Sequence, residues 1–164
     1  MTIALVIMEG IILSFWLLLV CVIGIANGPA GLACFYEKNV QERVVELGLT
    51  TKKKISRAAV RAALAMYLFD LTVVPAAVYL INGAHGFREG FIQMTAVYMI
   101  AVLFDRIFID IVWVGCTKAW DIPGTEDLKP YIPVKVQVGK WIGCLVMFSL
   151  IAAAIAGGLS CFGL

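Results

Sequence analysis

Phe104-Asp105-Arg106-Ile107-Phe108-Ile109-Asp110 lies inside an apolar stretch long enough to cross a bilayer, and nothing else in the chain limits the fold as strongly. An ionisable group at the bilayer centre costs ~2.5–3.5 kcal/mol or more, so three of them cannot all face hydrocarbon. They need neighbouring spans to enclose them. The chain has those neighbours, as apolar blocks at about 3–26, 58–81, 91–115 and 141–161. Each approaches or exceeds the ~20 residues that cross ~30 Å of hydrocarbon. Backbone groups find no water in lipid, so each block is expected to be helical. The alternating ~10-residue segments of a barrel are missing. The expectation is an all-α fold, a four-helix transmembrane bundle forming one domain over 1–164, with long loops at about 27–57 and 116–140.

Composition agrees. Hydrophobic residues make up 62% and charged residues 15%, against roughly 45–50% and 25% in soluble domains. The four blocks leave no room for a separate soluble domain. A net charge of +2 is too small to imply a nucleic-acid partner, and the position of the charges says more. Lys38, Arg43, Lys52, Lys53, Lys54, Arg57 and Arg61 lie between the first block and the start of the second, and Lys118, Lys129, Lys135 and Lys140 between the third and fourth. Only Arg88 lies between the second and third. By the positive-inside rule both long loops are cytoplasmic and both termini lie outside, in a plasma (inner) membrane. The first block has no basic residue ahead of it and is interrupted by Glu9, so it is expected to stay as a helix rather than act as a signal peptide.

The loops have patterns of their own. Tyr36, Val40, Val44 and Leu47 recur at helical spacing, which predicts a short interfacial helix over about 35–47, capped by Gly48 and lying flat at the headgroups. Lys52, Lys53, Lys54, Arg57 and Arg61 form a candidate patch for anionic lipid or an anionic head group. In the second loop Pro123-Gly124 fits a type II turn, Thr125 is a candidate cap, and Trp120, Tyr131 and Trp141 are candidate interface anchors. Gly24 and Gly28 are spaced for close helix packing or, with Pro29, for a helix stop. Ala153/Gly157 and Ala154/Gly158 are small-residue pairs that favour tight packing and a homo-oligomer.

The candidate site is a set of intramembrane charges: Glu9, Asp70, Asp105, Arg106 and Asp110. Arg106 and Asp110 are four residues apart, share a helix face and can pair. Asp105 is expected about 100° round the helix, toward another neighbour. Pro75 loosens the helix one turn past Asp70. By depth the acids form a ladder from Glu9 through Asp70 to Asp105 and Asp110. Three readings follow. The first is a proton, cation or small-solute pathway. The second is an inner-leaflet enzyme acting on a lipid or isoprenoid phosphate, in which Asp110, Asp121, Glu126 and Asp127 could hold Mg²⁺. No other cofactor is expected. The third is a partner subunit of a membrane complex, with the charges simply paired. The single histidine, His85, excludes multi-histidine metal sites. The five cysteines have no C-x-x-C spacing and are expected as core fillers. In length and span count the chain is similar to the membrane-associated proteins of eicosanoid and glutathione metabolism. Arg61–Pro75 lacks that family's Asn- and Glu-bearing second-helix motif, so no residue role is carried over.

Overall fold

A computed structural model describes residues 3–163, and among them all regular structure is helical. Helix α1 spans Ile3–Ile25. A 3₁₀ segment, Pro29–Phe35, and a short helix α2, Lys38–Glu46, form the first loop. Helix α3 spans Lys52–Ala76 and continues in wider π-type turns to Ile81. Helix α4 spans Gly86–Phe104 and is π-wound from there to Val114. Helix α5 spans Val134–Cys161. Helix α1, α3 with its extension, and α5 are long and apolar enough to cross a membrane, which makes this a membrane protein. Helix α4 carries charge at both ends, Arg88 and Glu89 at its start and the Asp105–Asp110 run toward its finish.

Helix α4 is nonetheless the centre of the bundle. It packs along α5 on one side and α1 on the other, while α3 leans on the Pro29–Phe35 segment and on α1. The α1–α3 contact is polar as well as apolar: Trp16 stacks on Phe69 at 4.9 Å and donates its indole N–H to the Ala65 carbonyl at 3.0 Å. Ala152 and Ala156 of α5 are fully buried, and Phe148 lies 5.1 Å from the Tyr98 ring of α4. Val78, Met94, Val97 and Tyr98 fill the interior from mid-helix toward the Gly86 end of α4. Between α3 and α5 there is a seam rather than a packed interface, bridged where the Tyr67 hydroxyl meets the Met147 sulfur at 3.7 Å.

The helices overrun the apolar blocks on the loop side. Helix α3 starts at Lys52 rather than about 58 because Thr51 caps it, accepting from the Lys54 N–H at 3.3 Å. Helix α4 starts at Gly86, where the Glu89 carboxylate reaches back to the His85 N–H at 3.0 Å. Helix α2 is shorter than expected because Pro29–Phe35 takes up its own 3₁₀ turns. Its end is a Schellman cap: Gly48 has φ +72, and Leu49 N–H bonds the Val44 carbonyl at 3.1 Å.

Several expectations for the loops change in the structure. Helix α2 does not turn its apolar face to headgroups: Val40 and Val44 are buried with Trp120, Ile122 and Tyr131 of the second loop. Trp120 and Tyr131 are therefore core residues of a two-loop cluster rather than interface anchors. The second loop covers them because a packed aromatic surface gains more from burial than a wet interface returns. Thr125 makes no cap; its buried hydroxyl donates to the Ile122 carbonyl at 2.8 Å and meets the Tyr131 hydroxyl at 2.9 Å. Gly24 serves a loop contact and not a helix pair, since a Cβ there would lie 2.4 Å from the Leu32 side chain. On α5 the packed face is Ala152/Ala156; Gly157 and Gly158 border open space within the chain.

Candidate functional site

The charged run lies on the π-wound end of α4. A π turn bonds i to i+5 and is rare beyond a single turn, and such turns recur at functional sites. Here the winding covers Asp105–Val114. Arg106 donates one terminal guanidinium nitrogen to Asp110 and the other to Asp105. Asp105 thus belongs to the same cluster and does not point to a separate neighbour; the widened turn and the long arginine bring it in. Lys140 of α5 places its ammonium 3.5 Å from the same Asp110 oxygen. Two acids and two bases meet at one level of the bundle. Arg106 and Asp110 are 8% and 6% exposed, so neither charge is solvated by the bulk.

Beside this cluster is a chamber of ≈320 Å³. Asp105, Arg106 and Asp110 form one wall, Leu17 and Cys21 of α1 another, and Trp120 and Tyr131 the loop side. The two loops hold each other over it. Tyr36 donates its hydroxyl to the Trp120 carbonyl at 2.6 Å and stands edge-on to Tyr131 at 5.1 Å. Burial pushes the Tyr36 hydroxyl above its ordinary range, and the Tyr131 and Asp121 charges add to that. Burial likewise raises the Cys34 thiol, which lines the chamber, so it stays protonated and a poor nucleophile at neutral pH.

A second cavity, ≈220 Å³, shares Leu17, Met66, Asp105 and Arg106 with the first and reaches Asp70. It runs along the α3/α5 seam, with Tyr67 on one side and Met147 and Phe148 on the other. Among the described residues the Asp70 carboxylate has no hydrogen bond or ion pair, although the residue is 6% exposed. Tyr98 donates to its backbone carbonyl instead, at 2.8 Å.

Asp70, Asp105, Arg106 and Asp110 therefore line two adjoining spaces. Glu9 is not with them: it lines neither cavity and accepts from Asn82 Nδ2 at 3.1 Å. Lys52, Lys53, Lys54, Arg57 and Arg61 are exposed, have no ion pair among the described residues and line neither cavity. Three lysines in the first turn of α3 sit at the positive end of its dipole, an unfavourable place for cations.

The acids expected at a Mg²⁺ site are dispersed. Asp121 pairs with Lys129 at 2.6 Å, and that hydrogen bond raises the lysine ammonium. Glu126 accepts the Gly124 N–H at 3.0 Å, and Asp127 takes both terminal nitrogens of Arg43 at 3.1 and 3.2 Å. Asp110 is held by Arg106 and Lys140. No group of three or more acids, histidines or cysteines is placed to hold a metal among the described residues. The arrangement does not fit Mg²⁺, since each carboxylate is already turned to a different partner.

Two further groups carry the chemistry of the chamber. Arg106 Nε and Trp120 Nε1 are buried N–H donors with no partner, and both residues line it. Trp120 read as an anchor and Lys140 as a loop charge in the sequence. No local signal joins them to Arg106, because only packing brings α5 and the second loop to α4.

The chain matches no protein-family model, no curated protein and no solved structure. Its function has to be read from the geometry above.

Proposed function

We propose that all four long helices cross the inner membrane, with both termini outside, and that the chamber binds an amphiphilic molecule drawn from the cytoplasmic leaflet. The crossing of α4 is supported by its neighbours. It lies alongside α5 from the Asp110–Lys140 contact through Tyr98–Phe148 to the buried Ala152 and Ala156, so it occupies the depth that α5 occupies.

The observation that carries the binding reading is the junction of two mainly apolar spaces at one charged wall. Asp105 and Arg106 line both; the first adds Trp120, whose indole N–H has no partner, and the second lies along the open α3/α5 seam. A head group suits the first and a tail the second. Ligand sites between bundle helices typically combine a few placed polar groups with an apolar lining. A proton or small-solute pathway draws support from the unpartnered Asp70. It is weakened by Glu9 lying on neither cavity and by the filled interior between Tyr98 and the Gly86 end of α4.

His85 and Cys116 are exposed and lie beyond opposite ends of α4. In variants with a single cysteine, an impermeant maleimide applied to intact cells is expected to label His85→Cys and spare Cys116. Labelling of both or of neither would mean that α4 does not cross, and labelling of Cys116 alone would place both termini inside.

The binding reading is tested by what the purified protein keeps. Native mass spectrometry of the wild-type chain is expected to show one amphiphile per chain. Leu17→Phe with Met66→Phe narrows the passage shared by both cavities and is expected to lower that occupancy at least tenfold. Equal retention by both proteins would remove the reading.

A further inference from the structure

We propose that the chamber's ligand is an uncharged amphiphile whose carbonyl oxygens accept hydrogen bonds from Arg106 Nε and Trp120 Nε1. This rests on the binding reading above and assigns its ligand class. Both donors belong to residues at least nine-tenths buried, at 8% and 3% exposure. Neither has a partner, and both residues line the ≈320 Å³ chamber. A guanidinium N–H and an indole N–H can only donate, so what satisfies them must be an acceptor. A buried donor left unmet forfeits the solvation it had in water, so a ligand that meets it is favoured.

The charge balance decides against an anionic head group. Asp105 and Asp110 offset Arg106 and Lys140, leaving no formal excess at the site. Arg106 already gives both terminal nitrogens to the acids. A phosphate would bring about 1.5–2 negative charges beside two buried carboxylates, and burying charge without a counterpart is costly. The free cations that could offset it, Lys52 to Lys54, Arg57 and Arg61, line neither cavity. A carbonyl needs donors and brings no charge.

Carbonyl amphiphiles of this kind come as quinones or as acylglycerols, and both occur within a leaflet. The α3/α5 seam gives either a lateral way in, past Tyr67 and Met147. Leu13, Val102 and Phe148 along the second cavity suit the tail of either.

The test uses the full chain in lipid nanodiscs stripped of retained amphiphile. Four probes are compared by native mass spectrometry and melting shift: a decyl benzoquinone, dioctanoylglycerol, decylbenzene and farnesyl monophosphate. The quinone or the glyceride is expected to bind one per chain, at least tenfold tighter than decylbenzene or farnesyl monophosphate. Whichever of the two binds identifies the source. Trp120→Phe, which keeps the ring packing and removes one donor, is expected to weaken that binding about tenfold. Tightest binding of farnesyl monophosphate would overturn the ligand class while leaving an amphiphile chamber in place. Failure of every probe would remove both the ligand class and the binding reading it rests on, whereas binding unchanged in Trp120→Phe would overturn the hydrogen-bond assignment while leaving an amphiphile chamber in place.

Discussion

Arg106→Leu is expected to destabilise the bundle by about 3–5 kcal/mol, the range for removing one partner from a buried ion pair. The reason is what it leaves behind. Asp105 and Asp110 both lose their guanidinium bonds, and Lys140, paired with Asp110 at 3.5 Å, is one ammonium against two carboxylates. The loss should appear as a lower midpoint of detergent- or heat-induced unfolding in micelles. Two further variants give the cause. Arg106→Leu combined with Asp105→Asn and Asp110→Asn should recover most of the stability, because no uncompensated acid remains. Arg106→Lys should recover only part, since one ammonium cannot span two carboxylates as the planar fork does. A loss below about 1 kcal/mol for Arg106→Leu would show that the cluster is not held by charge, against the usual cost of an orphaned buried ion.

Tyr36→Ala should unlock the second loop without unfolding the helices. Tyr36 is 6% exposed, ties the first loop to the Trp120 carbonyl, and wedges between Trp120 and Tyr131 at ring distances of 6.1 and 5.1 Å. Removing a buried aromatic side chain costs about 3–5 kcal/mol. Here that cost falls on the loop cluster, where Val40, Val44, Ile122 and Trp120 lose a shared neighbour. About 3 kcal/mol of local opening corresponds to about a hundredfold change in the open population. Tryptic cleavage after Lys118 should therefore accelerate about a hundredfold. Tyr36→Phe removes only the hydroxyl's bond, about 1 kcal/mol, and should accelerate cleavage several-fold. Similar rates for the two variants would mean that the hydrogen bond, and not the ring, holds the loops together.

The Tyr36 effect arises from a contact that crosses the chain, and another such contact, Lys140 with Asp110, completes the Arg106 cluster. Arg106 and Lys140 are on different helices, and Tyr36 and Trp120 are in different loops. The pattern around each residue gives little hint of its partner. Arg106 with Asp110 was the exception, because spacing of four residues on a helix is a local rule. Even there the local rule placed Asp105 elsewhere. It assumed 3.6 residues per turn, and the chain is π-wound from Asp105 onward. The valines of α2 show the same limit: their spacing revealed an apolar face but not whether lipid or protein would cover it.

The sequence by itself determined that the chain is helical and belongs in a membrane. Those properties depend on apolar length and on backbone groups that must bond within their own segment, and both are local. It also determined that charges inside such a segment need company, since hydrocarbon cannot solvate them. Beyond the Arg106–Asp110 pair, which groups keep that company was decided by tertiary structure. Packing α4 between α1 and α5 brought Lys140 to Asp110, set Asp70 on a cavity shared with Arg106, and left Glu9 outside it. Folding the second loop onto α2 buried Trp120 with a donor unmet. A hydrogen bond or a cavity is a relation between distant residues, and it exists only once the helices have found their neighbours.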